Sequence, residues 1–475
     1  MTAPTTAPGR GRWIEHWDPE DEGFWERKGR RIARRNLALS VVSEHIGFSV
    51  WSMFSVLALF MGPEYGIDPA GKFFLVAVAS LVGAALRVPY GFAVARFGGR
   101  NWTVISAAML LAPTTALLVV MEPGTSYTTF MLVAVLTGVG GANFASSMTN
   151  INSFYPLRLK GWALGVNAGG GNIGVAVVQL AGLLTIAVAG AAQPRLLLAA
   201  YLPLIVAATV LSARHMDNLG PVRNDTGAAR EAARDRHTWI MSFLYIGTFG
   251  SFIGYSFAFG LVLQNQFGRT PLQAASLTFI GPLLGSLIRP VGGRLADRLG
   301  GARVTLWNFG AMTGAAGIVV AASVRESLAL FIAGFIVLFV LTGLGNGSTF
   351  KMIPGIFQAK AHAMGLTGEA AAVRARRLSG ASMALIGAVG GFGGVGINMA
   401  LRQSFLTSGT GTGAFAVFLG YYVVCAAVTW AVYLRRGVGR AGGGGGGAGG
   451  VGDGGGRVRA AAAGEEESRA AYARV

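Results

Sequence analysis

Two arginines near the middle of apolar stretches are the residues in this sequence best suited to bind a ligand. Arg87 stands nine residues before Arg96, and Arg289 stands nine residues before Arg298; each second arginine is followed, one residue later, by a Gly-Gly pair. Nine helical residues rise about 13 Å, so each guanidinium would lie close to the centre of a hydrocarbon layer of about 30 Å. A guanidinium stays charged and presents a planar fork of donors, which suits a small planar oxyanion.

Other ionisable groups are scarce in the apolar stretches. Among 21 acids and five histidines, Glu44 and His45 are the ones that fall well inside such a stretch. Ionisable side chains at membrane depth are costly and usually line a substrate path. Glu44 shares a helix face with Phe48, and the Glu44-His45 pair could couple protons, bind backbone or mark a water-filled mouth.

The charges of these groups do not balance, because Glu44 is at most one counter-charge for two arginines. An anionic substrate is the best explanation of the missing counter-charge. The alternative is that each arginine caps backbone carbonyls or extends toward a membrane interface. The matched mid-stretch placement of Arg87 and Arg289 favours the anion.

Glycine stripes and amides accompany the arginines. Gly161, Gly165 and Gly169 are spaced to form a bare helix stripe that lets helix backbones approach or slide. Asn167 and Asn172 lie among them and could donate to an anion. A later stretch repeats the pattern with Gly387, Gly390, Gly391 and Gly394, followed by Asn398. Simple helix packing is the alternative interpretation of both stripes.

The elements that must position these residues are membrane-spanning helices. The chain has 475 residues, of which 52% are apolar and 13% charged, with a mean hydropathy of +0.53. This composition predicts an all-α membrane protein. The single cysteine, Cys425, argues against a disulfide framework and a cysteine-based metal site. Twelve stretches of near-spanning length cover residues 37–61, 72–94, 102–121, 127–150, 161–189, 195–212, 238–263, 272–294, 304–323, 327–356, 380–401 and 412–434.

The basic residues lie mostly on one side of these twelve stretches. Of the 39 Lys and Arg residues, 31 fall on the side of the two termini, five on the other side, and three within stretches. Cytoplasmic loops carry such an excess, so both termini are predicted to be cytoplasmic in a multi-pass protein of the cell (inner or plasma) membrane. The net charge of +18 therefore reflects topology rather than a nucleic-acid partner, and Arg27–Arg35 could touch anionic lipid headgroups.

An internal repeat divides the chain into parallel halves. Arg87 and Arg289 are 202 residues apart, and Gly138 and Gly343 are 205 apart in the same order, as expected for two six-helix halves. The Gly/Ala-rich end lacks the apolar residues needed to fold. We predict a basic N-terminal arm over 1–36, a first half over 37–212, a cytoplasmic linker over 213–237, a second half over 238–434 and a disordered cytoplasmic tail over 435–475.

Several motifs resemble those of a known carrier family. The run from Gly293 to Gly301 is similar to the loop motif of the major facilitator superfamily, and the first-half copy from Gly91 lacks its acid. The sequence resembles the nitrate/nitrite porter (NarK/NasA-type) family of that superfamily over residues 38 to 434. The matching segments are Phe48–Trp51, Gly140–Asn150, Phe154–Pro156, Gly161–Gly174, Tyr245–Phe257, Gly345–Pro354 and Ile386–Gly394.

The resemblance implies the major facilitator fold with one substrate site between the halves. Arg87 and Arg289 would bind the anion, and aromatic side chains would wall it, since ring edges are partly positive. The implied walls and polar contacts are Phe144, Phe48, Tyr245, Phe249, Asn172, Gly171 and Ser348. Asn167, Gly165, Gly169, Gly390, Gly391 and Gly394 belong to the signature motifs, and Lys351 would face a cytoplasmic gate.

The predicted function is nitrate and nitrite transport, most simply by antiport with alternating access, in the service of nitrate assimilation. The alternatives are a proton-coupled nitrate symporter and a carrier of another small oxyanion. An intramembrane enzyme would need a metal cluster or paired buried carboxylates, which the acids of this sequence do not supply, and a sensor would need an appended soluble module. We therefore expect no enzymatic activity, cofactor or metal, and no obligate protein partner is evident.

Overall fold

A computed structural model describes residues 12–220 and 225–435, the side chain of Leu157 excepted. Within these residues, eleven helices are long and apolar enough to cross a membrane, and a helix pair bent by 40° forms a twelfth span. The spans are α1 (Glu22–Trp51 with Met53–Phe60), α2 (Pro69–Phe97), α3 (Gly99–Val120), α4 (Tyr127–Phe154), α5 (Arg158–Ala189), α6 (Pro194–His215), α7 (Arg236–Phe267), α8 (Pro271–Leu299), α9 (Gly301–Val324), α10 (Leu328–Ala363), α11 (Gly368–Ser408) and α12 (Thr412–Leu434).

These spans match the twelve predicted stretches one for one, and the differences lie at the ends. The first span begins at Glu22, fifteen residues before the apolar stretch, and α11 begins at Gly368 rather than residue 380. The added turns are amphipathic. In α1, Trp25 and Ala33 are buried whereas Arg31 and Arg34 are exposed. An apolar window misses such turns because their charged face meets water. The tail from residue 436 onward lies outside the described residues.

Glycines with positive φ end α2 and α8 at matched positions of the two halves. Gly98 has φ of 85° and Gly300 has φ of 88°, a conformation that side chains other than glycine rarely adopt. Each glycine is followed directly by the next span, α3 or α9. The repeat seen in the sequence is therefore a repeat in backbone geometry.

The segment between α6 and α7 defines one end of the bundle, which we call the linker side; the opposite end is the far side. On the linker side Trp13–Ile14 (β1) pairs in parallel with Asn218–Leu219 (β2). Next to this pair, the fully buried Asp217 accepts hydrogen bonds from Arg12 (2.7 Å), Arg35 (2.5 Å) and Asn36 (2.9 Å). This arm clasp, formed by Arg12, Arg35, Asn36 and Asp217, ties the N-terminal arm to the end of α6.

A linker helix, Thr226–Arg234, attaches to the second half instead. Asp225 caps it by accepting from the Ala228 N–H (2.8 Å) and forms an ion pair with Arg377 of α11; Glu231 pairs with Arg374. The Arg377 hydrogen bond lowers the pKa of Asp225 to about 2, so this anchor stays ionised at every pH near neutrality.

The two halves meet on the far side and part on the linker side. On the far side, Gln179 of α5 donates to the Ser256 carbonyl of α7 (2.7 Å). Gly161 and Gly165 lie on the same face of α5 as Gln179, at separations of 18 and 14 residues, or about five and four helical turns. Both are exposed and would give a side chain no neighbour within 4 Å. One face of α5 is thus covered by the second half on the far side and uncovered on the linker side.

The same arrangement occurs in α11, which faces the first half. A side chain at Gly391 would contact Ala84 and Arg87 of α2, whereas Gly380, eleven residues earlier on the same face, has no neighbour within 4 Å. The cavity between the halves is therefore open toward the linker side.

Candidate functional site

Three helix irregularities surround one point midway along the bundle. The bend of α1 falls at Ser52, and α2 is interrupted at Leu86, immediately before Arg87. A π-helical segment, Ile246–Gly250, interrupts α7. Single π-turns inside α-helices are frequent at functional sites because they re-aim neighbouring side chains. These irregularities position Trp51, Arg87 and Phe249, which come together between the halves.

Arg87 is almost completely buried, with 1% of its surface exposed. Its Nε donates to the Gly141 carbonyl of α4 (3.2 Å), and Nη1 donates to the Gly387 carbonyl of α11 (2.6 Å). Its guanidinium carbon lies 4.9 Å from the ring centroid of Phe144, 5.0 Å from that of Phe249 and 5.4 Å from that of Trp51. Arg87 therefore touches both halves of the protein at once.

Arg289 is slightly less buried than Arg87, with 9% of its surface exposed. Its Nη2 donates to the Tyr245 hydroxyl at 3.3 Å, and its guanidinium carbon lies 5.7 Å from the Phe350 ring. The Tyr245 and Phe249 rings are stacked with centroids 5.2 Å apart, and Phe249 stacks on Phe144 at 6.1 Å. A row of rings thus joins the two arginines. We call Arg87, Arg289, Phe144, Tyr245 and Phe249 the central site.

Each arginine keeps unused hydrogen-bond donors. Nη2 of Arg87 and Nη1 of Arg289 are buried and have no hydrogen-bond partner among the described residues. An unpaired buried donor carrying positive charge is costly, since it has lost water without gaining an acceptor. A ligand with several acceptor oxygens and a negative charge would satisfy both. The donor set therefore fits a small oxyanion.

Glu44 lies beside the central site as a fully buried acid. Its Oε2 accepts from the Ser147 hydroxyl and from Asn167 Nδ2 (2.6 Å), and its Oε1 has no partner among the described residues. The carboxylate interacts electrostatically with both Arg87 and Arg289. Glu44 is thus part of the same charge cluster as the two arginines.

Glycines let these elements approach closely. A side chain at Gly171 of α5 would overlap the Glu44 carboxylate, one at Gly390 of α11 would overlap the Tyr245 ring, and one at Gly394 would press on Ile253. Predicted site residues Gly171 and Gly390 therefore act as spacers beside the charged and aromatic groups. Gly165 and Gly169 do not pack in this way, because nothing lies within 4 Å of where their side chains would be. Simple helix packing, the alternative interpretation of that stripe, therefore does not apply to Gly165 and Gly169 in this conformation.

Other predicted residues lie differently from expectation. Asn167 is engaged by Glu44 and Ser147, so its amide donors are not directed at a substrate. The Ser348 hydroxyl pairs with Thr305 of α9 (2.9 Å) rather than with either arginine. His45 does not pair with Glu44, because its ring nitrogen Nδ1 faces the Gly170 carbonyl (3.3 Å). Periodicity could not reveal these partners, since each is contributed by another helix.

The structure also shows the surroundings of three further predicted residues. Phe48 is fully buried and contacts Phe144 edge-on, with ring centroids 6.2 Å apart. Asn172 is buried, and its Oδ1 has no hydrogen-bond partner among the described residues. Lys351 is half-exposed on the linker side, where it pairs with Asp297 of the loop motif at 2.9 Å.

Three residues near the arginines and Glu44 are not predicted from the sequence: Trp51, Phe350 and Ser147. Trp51 donates to the Ala79 carbonyl (2.9 Å) and lies under Arg87, and Phe350 contacts both Arg289 and Tyr245. Each belongs to a motif quoted above. Motif membership was the available signal, but the ring contacts depend on helices that are distant in sequence.

Comparisons with known proteins agree with the fold. A family model for the Major Facilitator Superfamily matches residues 41–375. A D-xylose-proton symporter structure superimposes with a TM-score of 0.62 at 14% identity, covering 83% of this chain and 96% of the symporter. A bacterial homologue of the lysosomal transporter Spinster, in an inward-facing conformation, gives a TM-score of 0.59 at 14% identity and covers 83% of this chain and 95% of its own. The protein is a membrane transporter of the major facilitator superfamily, not an enzyme.

Relatives of higher sequence identity assign the chain to one family within this superfamily. Nitrate/nitrite transporter NarU from Salmonella typhimurium is 39% identical over 447 residues, covering 89% of this chain and 96% of NarU. The probable nitrate/nitrite antiporter NarK2 from Thermus thermophilus is 33% identical over 402 residues, covering 77% of this chain and 87% of its own. The chain belongs to the nitrate/nitrite porter (NarK/NasA-type) family, as its motifs predicted.

Proposed function

We propose that this carrier exchanges nitrate for nitrite across the cell membrane, binding one anion at a time at the central site. The observation that carries the proposal is the pair of buried arginines, each with an unused guanidinium nitrogen, joined by a row of aromatic rings. Nitrate and nitrite are planar and monovalent, with oxygens that suit the donors of two guanidinium groups. The names of the NarU and NarK2 relatives support the same substrates.

The geometry suggests how one anion would cross. The cavity is open on the linker side, and Arg87 already reaches the Gly387 carbonyl of the second half. An anion entering from the linker side would contact Arg289 and Arg87 together and so draw the first and second halves toward each other. Rocking of the halves about the bound anion would close the linker side and open the far side, which is alternating access.

Exchange follows from the charge of the empty site. At an assumed separation of about 8 Å, two unit charges repel by about 2 kcal/mol at an effective dielectric constant of about 20. Glu44 compensates one guanidinium, and the bound anion compensates the other. An empty carrier, left with one uncompensated buried charge, would change conformation slowly, so one anion must bind before another can return.

Glu44 also supports a second candidate function, proton-coupled nitrate symport. A buried carboxylate that picks up and releases a proton could reset the site without a returning anion. The two mechanisms differ in what drives nitrate entry.

Vesicles containing the purified full-length protein distinguish them. With nitrite or nitrate inside, external labelled nitrate should enter; with an inert anion inside, entry should be slow and unaffected by a pH gradient. Vesicles without the protein provide the control. Accumulation driven by an inward proton gradient alone, with no internal nitrite, would refute antiport and support symport. No nitrate entry under any of these conditions would refute the proposed substrate.

A further inference from the structure

The spans carry an unequal set of buried charges at the central site. Arg87 and Arg289 contribute two positive charges, and Glu44 is the one acid buried beside them among the described residues. The other fully buried acid, Asp217, belongs to the arm clasp on the linker side. The central site therefore holds a net charge of +1 when Glu44 is ionised.

We propose that Glu44 is a fixed counter-charge that restricts the central site to monovalent anions and excludes divalent oxyanions such as sulfate. The inference rests on the proposed function, because it concerns which anions that site accepts. It gives Glu44 a role in specificity that does not require the carboxylate to exchange protons.

Hydrogen bonds and nearby positive charges stabilise the ionised form of Glu44. Ser147 of α4 and Asn167 of α5 both donate to Oε2, and hydrogen bonds of this kind stabilise a carboxylate. Burial is the strongest single influence on this carboxyl group and opposes its ionisation, whereas the charges of Arg87 and Arg289 act together with the hydrogen bonds to stabilise the carboxylate. The neighbouring titratable group, His45, is turned away toward the Gly170 carbonyl.

The carboxylate is also held in place by packing. Gly171 leaves just enough room for it, since any side chain there would overlap Glu44. A charge fixed beside the arginines changes the electrostatic energy of every anion that enters, whether or not it touches the anion.

Charge is needed for selectivity because the arginine donors alone discriminate poorly between nitrate and sulfate. Guanidinium groups bind tetrahedral sulfate as readily as planar nitrate, since both present pairs of oxygens. With Glu44 ionised, a monovalent anion brings the central site to neutrality, and a divalent anion leaves an uncompensated negative charge. An uncompensated charge in a low-dielectric site raises the free energy of the bound state, so a divalent anion binds weakly.

The test compares sulfate and nitrate on wild type and Glu44→Gln. Purified full-length protein in vesicles is assayed for labelled nitrate exchange with potassium sulfate as competitor, and protein in detergent for thermal stabilisation by each salt at equal ionic strength. For wild type we expect nitrate to stabilise and sulfate to compete poorly. Glu44→Gln keeps the side-chain size and an acceptor for Ser147, and should lower the sulfate concentration that halves exchange by on the order of tenfold.

Two further variants make the comparison specific. Glu122→Gln removes an exposed acid that pairs with Arg195 on the far side and should leave sulfate sensitivity at the wild-type value. If Glu44→Gln does not fold, Glu44→Leu removes the same charge without needing hydrogen-bond partners and should show the same gain in sulfate sensitivity.

Unchanged sulfate sensitivity in a folded, charge-neutralised Glu44 variant would overturn the inference. So would proton-driven nitrate accumulation by wild type that Glu44→Gln abolishes, because Glu44 would then exchange its charge during transport. A wild-type protein that moves another monovalent anion and not nitrate would refute the proposed function alone, provided that Glu44→Gln still admits sulfate.

Discussion

Arg87 illustrates why one residue can bind both halves of the protein and a substrate. Two of its nitrogens donate to backbone carbonyls on different helices, Gly141 and Gly387, and three rings surround its plane. The third nitrogen is left for a ligand. Only a planar group with several fixed donors can serve these partners simultaneously.

Replacing either arginine by lysine should therefore nearly abolish nitrate exchange while the protein still inserts. Lysine keeps the charge but places it at one point, and in Arg87→Lys one ammonium cannot reach Gly141, Gly387 and the anion with the guanidinium geometry. We expect exchange to fall on the order of 100-fold, measured in vesicles at equal protein content. Arg325→Lys, on the far side and away from the central site, is the matched control. Near-normal exchange in Arg87→Lys or Arg289→Lys would rule out the arginine pair as the anion site.

The sequence predicts the charged residues of the site better than their partners. Arg87 and Arg289 are recognisable because they repeat at a matched distance from a Gly-Gly pair. Asn167 looks like an anion donor in the sequence, yet Glu44 takes that amide. Helical periodicity identifies the face on which a side chain lies, but the partner on that face comes from a helix whose position only the folded bundle determines.

At the scale of the helices, α5 uses one face in two ways. On the far side this face is bonded to the second half through Gln179, and on the linker side it presents Gly161 and Gly165 to open space. A helix stripe without side chains is able to form a close contact when the halves rock. We infer that the glycine stripe becomes an interface when the linker side closes.

Two glycines of α5 should therefore respond differently to substitution. Gly165→Leu should fold normally, because no atom lies within 4 Å of a Cβ atom placed at this position. It should nevertheless slow nitrate exchange at least several-fold, because the added side chain would obstruct closure of the linker side. Gly174→Ala should destabilise the fold by about 1–3 kcal/mol, since a methyl group there would overlap the His45 backbone carbonyl. Thermal unfolding and exchange assays of both variants test this. Normal exchange by Gly165→Leu would contradict the predicted closure.

At the scale of the whole molecule, the orientation in the membrane remains a prediction from the distribution of Lys and Arg. The 31-to-5 excess places both ends and the linker in the cytoplasm. Topology reporters fused at residues 30 and 440 should both report a cytoplasmic location. A reporter at residue 440 that reads the opposite side would mean an odd number of spans and a wrong repeat assignment. With the predicted orientation, the open cavity faces the cytoplasm.

The arm clasp indicates that the two halves could be synthesised as separate polypeptides. By joining residue 12 to residue 217, it closes the first half on itself, and the linker helix is anchored to α11 of the second half. The N-terminal arm is therefore attached to the first half, and the linker helix is attached to the second half. A gene split between Gly220 and Asp225 should yield two fragments that reassemble into an active carrier when co-expressed. Asp217→Asn should weaken this complementation more than it weakens the unsplit protein, since covalent continuity would no longer compensate for a loosened first fragment.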